Sequence, residues 1–129
     1  METFEVVVGA GALRAEDERV VRFPHRWTAE GVTVEADFTG AHLLHLAAAG
    51  CVLNDVYREA INFKIQIDGV RVRASGGYDT GTWTSRGISY QVEIRSPATD
   101  EALAALLARV DEVAEIPRAI RAGASVERA

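Results

Sequence analysis

Apolar and polar side chains alternate over three short segments in the first forty residues, at positions 4–8, 19–23 and 32–38. A period of two is the pattern of β-strands with one buried and one solvated face. Glycine and proline lie between these segments, as turns require. The pattern predicts three strands arranged as an antiparallel meander.

Residues 41–61 follow a different pattern, without proline and rich in strong helix formers. The pattern predicts one long α-helix here. Its first half is apolar on nearly every side and includes three consecutive alanines. We therefore expect a buried helix that neighbouring elements approach closely, and such a helix in so short a chain suggests dimerisation.

Strand-like alternation returns at residues 65–67 and 70–74 and again at 88–94. A long glycine-rich connection, residues 76–87, separates these runs and is either simply exposed or placed over a pocket. Residues 65–74 and 88–94 therefore predict the two strands of a β-hairpin, joined by this connection.

The last part of the chain predicts a second helix that begins after Thr99, a favourable N-cap residue followed by two acidic residues. Leucine and valine recur at helical spacing from Leu103 to Val113, and Pro117 lies where the helix should end. Residues 123–127 are compatible with a short edge strand. Residues 1–129 thus predict a single domain of the α+β class.

The formal charge of −5 and the pI of about 5.2 argue against nucleic acid as a partner, because phosphate binding needs clustered basic residues. No apolar run reaches the ~18 to 20 residues of a membrane span. The first residues lack the basic region of a secretory signal, so the expected location is cytoplasmic.

Cys51 is the only cysteine, which excludes an internal disulfide and a CxxC-type metal cluster. We expect no bound metal or cofactor. On a helix, Asp55 shares the face of Cys51 and should oppose ionisation of the thiol, whereas Arg58 favours ionisation only if it folds back. The alternative is a buried cysteine that acts as a small apolar side chain.

The three histidines are a rival source of chemistry. His42 and His45 are spaced to share a cavity or a metal, yet helical geometry turns both away from Cys51. His25 lies in a loop, and nothing in its spacing requires a functional role. Trp83, among turn residues, needs a surface on a partner subunit, on an apolar ligand or on its own domain.

Three features together resemble the OsmC/Ohr family of hydroperoxide-reducing proteins, over residues 31–127. They are the alanine-rich helix around Cys51, the strand pair with Gly76-Gly77-Tyr78-Asp79, and the closing helix from Glu101 to Ile120. The resemblance implies antiparallel sheets wrapped around long central helices in an intertwined homodimer. It also implies that Cys51 is the nucleophile that attacks a peroxide.

Other functional residues of that family have no counterpart here. The resolving Cys-Pro pair corresponds to Ile116-Pro117, and the glutamate ten positions before the reactive cysteine corresponds to Ala41. The partner arginine cannot be selected by spacing from the four in the N-terminal region. The resemblance thus transfers Cys51 alone as a site residue.

Two functions remain in competition, with a third behind them. The first is reduction of organic hydroperoxides or related electrophiles through Cys51, with an external thiol as reductant. The second is non-catalytic binding of a small apolar ligand at the dimer interface, with Cys51 inert. The third is an accessory interaction module.

Overall fold

The computed structural model describes residues 2–129, which form one α+β unit with a five-stranded antiparallel sheet and three helices. In chain order the elements are β1 (Thr3–Gly11), β2 (Val21–Phe23), β3 (Val32–Glu35), α1 (Gly40–Phe63), β4 (Gly69–Tyr78), β5 (Ser85–Arg95), α2 (Asp100–Val113) and α3 (Glu115–Ala122). The predicted fold class and the long helix are confirmed.

The sheet has the order β2-β3-β1-β4-β5, so the predicted meander at the start of the chain is wrong. β1 lies in the centre, where it pairs with β3 on one side and with β4 along its whole length on the other. β2 has three exposed residues and pairs only with β3 at the edge. The nine-residue β1 satisfies more backbone groups beside the ten-residue β4 than it would beside the three-residue β2.

The core lies between one face of the sheet and α1, with α2 packed against the helix. Its fully buried side chains include Val6, Val8, Val52, Leu53, Val56, Val70, Val72, Leu106 and Val110. The alternation predicted for the strands supplies the sheet side of this core, and the leucine-valine stripe of α2 closes it.

Helix α1 begins after Thr39, whose hydroxyl accepts a hydrogen bond from the backbone N–H of His42 at 3.1 Å. It ends at Lys64, which adopts a left-handed conformation with φ of 56°. The buried central helix predicted from the alanine-rich sequence is therefore present. Within residues 2–129, no helix has the length and apolarity that crossing a membrane would require.

Two predicted strands are absent at their predicted positions. Residues 65–67 are not paired, because the backbone N–H of Ile65 bonds to Ala60 at 2.9 Å and completes the end of α1. Residues 123–127 form no strand, since Gly123 ends α3 and the one valine in this segment, Val126, is 93% exposed. Alternation in so short a segment could not overcome the lack of a pairing partner.

The strands of the β4-β5 hairpin run further than predicted, so the connection shrinks to residues 79–84. The Asp79 carboxylate accepts hydrogen bonds from the backbone of Gly81 and Thr82 and holds this turn. Trp83 has a φ of 58° and a side chain that is 69% exposed. Docking of Trp83 on its own domain is therefore not observed.

The closing helical region is broken into two pieces. α2 ends at Val113, and α3 begins two residues later, so the helix ends earlier than the position of Pro117 suggested. Pro117 lies in the first turn of α3, where its missing N–H group breaks no helical hydrogen bond. This break directs the start of α3 toward α1.

Candidate functional site: the cleft over Cys51

A cleft of about 630 Å³ opens beside the middle of α1. Its walls come from α1, β1, β3, the segment after β2 and the start of α3. Most of the lining is apolar, and the residues are Val8, Phe23, Pro24, His25, Arg26, Trp27, Val32, Val34, Leu46, Ala47, Gly50, Cys51, Leu53, Asn54, Asp55, Glu115 and Ile116. The candidate residue Cys51 thus lies in the wall of a cavity large enough for a small organic molecule.

The Cys51 thiol faces the first turn of α3 and is 8% exposed. Backbone N–H groups of Ile116 and Glu115 lie near the sulfur and act to lower the pKa of the thiol. Ala114, the N-cap residue of α3, has no side chain to accept such bonds. The first N–H groups of α3 thus face the Cys51 sulfur instead of a capping side chain.

Burial outweighs the effect of these backbone groups and raises the pKa of the Cys51 thiol above its ordinary value. The neighbouring carboxylates of Asp55 and Glu115 raise it further by repulsion. The effect predicted for Asp55 from helical spacing is confirmed. At neutral pH the site holds a thiol rather than a thiolate.

Asp55 is a buried acid, 2% exposed, in the same cleft. Burial raises its pKa to about 6, and repulsion by Glu115 and Glu59 acts in the same direction. Arg58 opposes this rise through an ion pair with Nη2 3.0 Å from Oδ2. The contact lies outside hydrogen-bond geometry, so Oδ2 accepts no hydrogen bond.

The guanidinium of Arg58 is shared among three carboxylates. Besides Asp55, it lies 3.4 Å from Glu59 and 3.8 Å from Glu115. Arg58 therefore does not fold back toward the thiol, because its guanidinium pairs with these carboxylates. A second guanidinium, that of Arg109, lies 3.6 Å from Glu59.

His25 lies in the opposite wall of the cleft and is tied to α1. Its Nε2 donates to the amide oxygen of Asn54 at 3.0 Å, and its Nδ1 lies 2.7 Å from the hydroxyl of Thr28. Burial lowers the pKa of His25, and the Asn54 contact opposes that change. The ring is thus neutral at pH 7. Next to it, the exposed Arg26 stacks over the Trp27 ring at 5.8 Å.

The two histidines of α1 have separate roles. His42 contacts its N-cap residue Thr39, with Nδ1 2.6 Å from the hydroxyl. His45 is buried, and its Nδ1 donates to the carbonyl oxygen of Ala41 at 2.6 Å. Neither lies in the wall of the cleft over Cys51.

A metal ion would find one group of suitable donors within residues 2–129, formed by Cys51, Asp55 and Glu115. One sulfur and two carboxylate oxygens lie within 4.8 Å of one another. Arg58 already contacts both carboxylates, which partly supplies the positive charge that a metal would bring.

Sequence reasoning placed Cys51 and Asp55 together but missed Glu115 and the His25–Asn54 contact. Helical spacing finds neighbours only within one element. One sequence signal pointed to the approach of α3. In the resembling family, the position of Ile116-Pro117 holds a Cys-Pro pair whose cysteine must reach the reactive thiol. The structure does bring Ile116 to the thiol, since both residues line the cleft and the Ile116 backbone acts on the pKa of Cys51.

Known structures with this arrangement define the class of fold. An OsmC-like protein from Mycoplasma pneumoniae superposes with a TM-score of 0.60 at 15% identity, over 82% of this chain and 88% of the other. An OsmC-like hydroperoxide resistance protein from Jannaschia sp. gives 0.59 at 12% identity, over 96% of this chain and 90% of the other. The protein therefore has the OsmC fold.

Sequence comparison assigns the family. The profile described as OsmC-like protein matches residues 30–128, which is most of the chain. The chain belongs to the OsmC-like family. No curated protein gives a significant match.

Proposed function

We propose that this member of the OsmC-like family binds a small organic molecule in the cleft over Cys51. Cys51 serves there as a protonated thiol in the cleft wall. The observation that carries this proposal is the coincidence of a largely apolar cavity of about 630 Å³ with a thiol crowded by two carboxylates. Cavities of this size and lining are typical of sites for small molecules.

The surroundings of Cys51 support binding over peroxide reduction. A peroxidatic cysteine reacts as the thiolate, whereas burial, Asp55 and Glu115 all raise the pKa of Cys51. Ala41 stands where the family resemblance places a glutamate. Arg58 is occupied by carboxylates. The hydroperoxide resistance described for the Jannaschia protein therefore has little support in this cleft.

Binding can be measured through Trp27, one of two tryptophans in the chain. In a Trp83→Phe variant, Trp27 is the one remaining tryptophan. Its indole is excited at a wavelength that the phenyl ring of the probe does not absorb. Titration with 2-phenylethanol should give a saturable fluorescence change with a Kd on the order of 1 mM, as expected for a ligand of this size.

A matched pair of variants tests where the probe binds. Leu46→Arg places a charge in the cleft wall and should abolish the saturable signal. Leu43→Arg, on the same helix but outside the cleft, should leave it unchanged. Equal titration curves for the two variants, or no saturation in the background protein, would contradict the proposal.

A second candidate function is one-cysteine reduction of an organic hydroperoxide through Cys51. The favouring observation is the pair of backbone N–H groups, from Ile116 and Glu115, that lie near the sulfur and act to lower its pKa. They would stabilise negative charge on a thiolate or sulfenate. The sulfur would bond to the peroxide oxygen as the O–O bond breaks, and the leaving alkoxide would take a proton. An external thiol would then reduce the sulfenic acid.

We also propose a homodimer in the cytoplasm. Apolar side chains with large exposed fractions support a partner surface, among them Phe38 at 89%, Trp83 at 69% and Ile61 at 67%. β5 adds an eleven-residue edge strand on the outside of the sheet. The free thiol of Cys51 suits a reducing compartment.

A further inference from the structure

The cleft over Cys51 combines an apolar wall with one negatively charged end. Phe23, Trp27, Val34 and Leu46 contribute apolar or aromatic surface, whereas Asp55 and Glu115 are its acidic lining residues. Asp55 is 2% exposed and Glu115 is exposed, so the charge extends from the floor of the cleft to solvent. A ligand in this cleft therefore meets both kinds of surface.

The charges near this end do not balance. An acidic cluster, defined by its salt bridges, consists of Asp55, Glu59, Glu112, Glu115, Arg58 and Arg109. When ionised, four carboxylates face two guanidiniums, which leaves an excess of two negative charges. A buried carboxylate without a full set of partners is costly, so a bound cation would stabilise this end.

Asp55 lines the cleft and has unused hydrogen-bonding capacity at one carboxylate oxygen. Its Oδ2 is buried, accepts no hydrogen bond and has only the off-geometry contact with Arg58 at 3.0 Å. The Arg58 guanidinium also contacts Glu59 and Glu115, so it cannot be devoted to Asp55. An ammonium group offers three N–H donors that can be directed at such oxygens.

We propose that the cleft binds an organic amine, whose ammonium group pairs with Asp55 and Glu115 while its apolar body lies against the Trp27 side of the cleft. This inference rests on the proposed function, because it names the chemical class of the ligand. The apolar lining favours an organic cation over a bare metal ion. Arg26 is the one arginine among the lining residues, and it is exposed and lies over the Trp27 ring. It therefore does not neutralise the acidic end of the cleft.

The test compares three probes that share a phenyl ring and differ in charge: 2-phenylethylamine, 2-phenylethanol and 3-phenylpropanoate. Binding to the full chain in the Trp83→Phe background is followed by Trp27 fluorescence at pH 7.5 and ~0.15 M salt, with EDTA to keep metal ions out. At this pH Asp55 is largely ionised, because its pKa is about 6. We expect the amine to bind about tenfold more tightly than the alcohol, and the carboxylate most weakly.

Variants connect this preference to the acidic end. Asp55→Asn should reduce the amine-to-alcohol ratio to about one to two, because it removes the buried charge. Glu115→Gln should reduce the ratio partly. Because Glu115 is exposed, this variant still provides a test if Asp55→Asn does not fold. Glu112→Gln is the matched control, because Glu112 belongs to the acidic cluster but lies outside the cleft. It should leave the ratio unchanged, because Glu112 pairs with Arg109 and contacts neither the cleft nor Arg58.

The outcomes separate this inference from the proposed function. Equal affinity for amine and alcohol, or a preference that persists in both Asp55→Asn and Glu115→Gln, would overturn the amine and leave the binding function standing. Tighter binding of the carboxylate would assign the ligand to Arg26 instead and would also overturn it. If none of the probes binds, both the inference and the proposed function fail.

Discussion

At the scale of single residues, Asp55 opposes ionisation of Cys51, and burial opposes ionisation of both groups. Both groups are buried in one cleft, and both titrate above their ordinary pKa, chiefly because of burial. The nearest guanidinium, that of Arg58, is shared among three carboxylates and does not reach the thiol. The reactivity of Cys51 is therefore lowered first by burial and then further by its acidic neighbours.

Removal of the charge at Asp55 should make Cys51 more reactive. In Asp55→Asn the thiol pKa falls, so the alkylation rate with uncharged iodoacetamide at pH 7.5 should rise about three- to tenfold. Intact mass measures the rate, and Cys51→Ser establishes the background. The outer carboxylate variant Glu112→Gln should react like the original protein. An unchanged rate in Asp55→Asn would contradict the electrostatic account of the thiol.

The same substitution should change stability in a pH-dependent way. The folded-state pKa of Asp55, about 6, exceeds its unfolded value near 3.9, so ionisation of Asp55 disfavours the fold. Its penalty grows as pH rises from about 4 to 6 and is fully present above the folded pKa. The free energy of unfolding of Asp55→Asn, relative to that of the original protein, should therefore be higher at pH 8 than at pH 5. The expected difference is on the order of 1 kcal/mol in urea titrations. An equal effect at both pH values would argue against a raised pKa.

Much of this site was accessible from residue spacing, but only along one helix. The i, i+4 relation between Cys51 and Asp55 correctly predicted repulsion at the thiol. Glu115 lies sixty-four positions from Cys51 in sequence, and its approach depends on the break between α2 and α3 at Ala114. Helical periodicity contains no information on such a contact between elements.

At the scale of elements, the long helix was the most predictable feature and strand order the least. Residues 41–61 lie wholly inside α1. The position of β1 between β3 and β4 depends on pairing between distant segments, which alternation alone cannot rank. The segment 65–67 has strand-like spacing but is used to end α1 at Lys64.

The junction between α1 and the β4-β5 hairpin should be intolerant of added volume. A Cβ at Gly76 would overlap the carbonyl oxygen of Gly87 and lie 2.7 Å from Nε2 of His45. Gly76→Ala should lower the free energy of unfolding by about 2–4 kcal/mol in chemical denaturation. The comparison variant is Gly50→Ala in α1, where an added Cβ meets nothing within 4 Å. It should stabilise by roughly 0.5–1 kcal/mol. Equal effects of the two substitutions would refute the packing described for this junction.

At the scale of the whole molecule, the family resemblance supplied what periodicity could not. It predicted the OsmC fold, and the matched residues 30–128 confirm the family. The intertwined homodimer stays a prediction. Phe38 and Trp83, both largely exposed, are the aromatic side chains that such a partner would cover.

Sedimentation equilibrium tests the assembly directly. At micromolar concentration the chain should sediment with twice its mass of 14.0 kDa. Replacement of the exposed aromatic in Trp83→Ser should shift the equilibrium toward monomer by at least about tenfold in Kd. Sedimentation at a single chain mass at all concentrations would remove the homodimer from this account.

The rate at which cumene hydroperoxide oxidises Cys51 at pH 7.5 distinguishes a binding cleft from a peroxidatic site. Intact mass follows the reaction in the native chain and in the same chain unfolded in urea. A protonated Cys51 thiol in a binding cleft should be oxidised more slowly in the native chain than in the unfolded one. Native oxidation many times faster than in the unfolded chain would contradict it and would establish Cys51 as a peroxidatic residue.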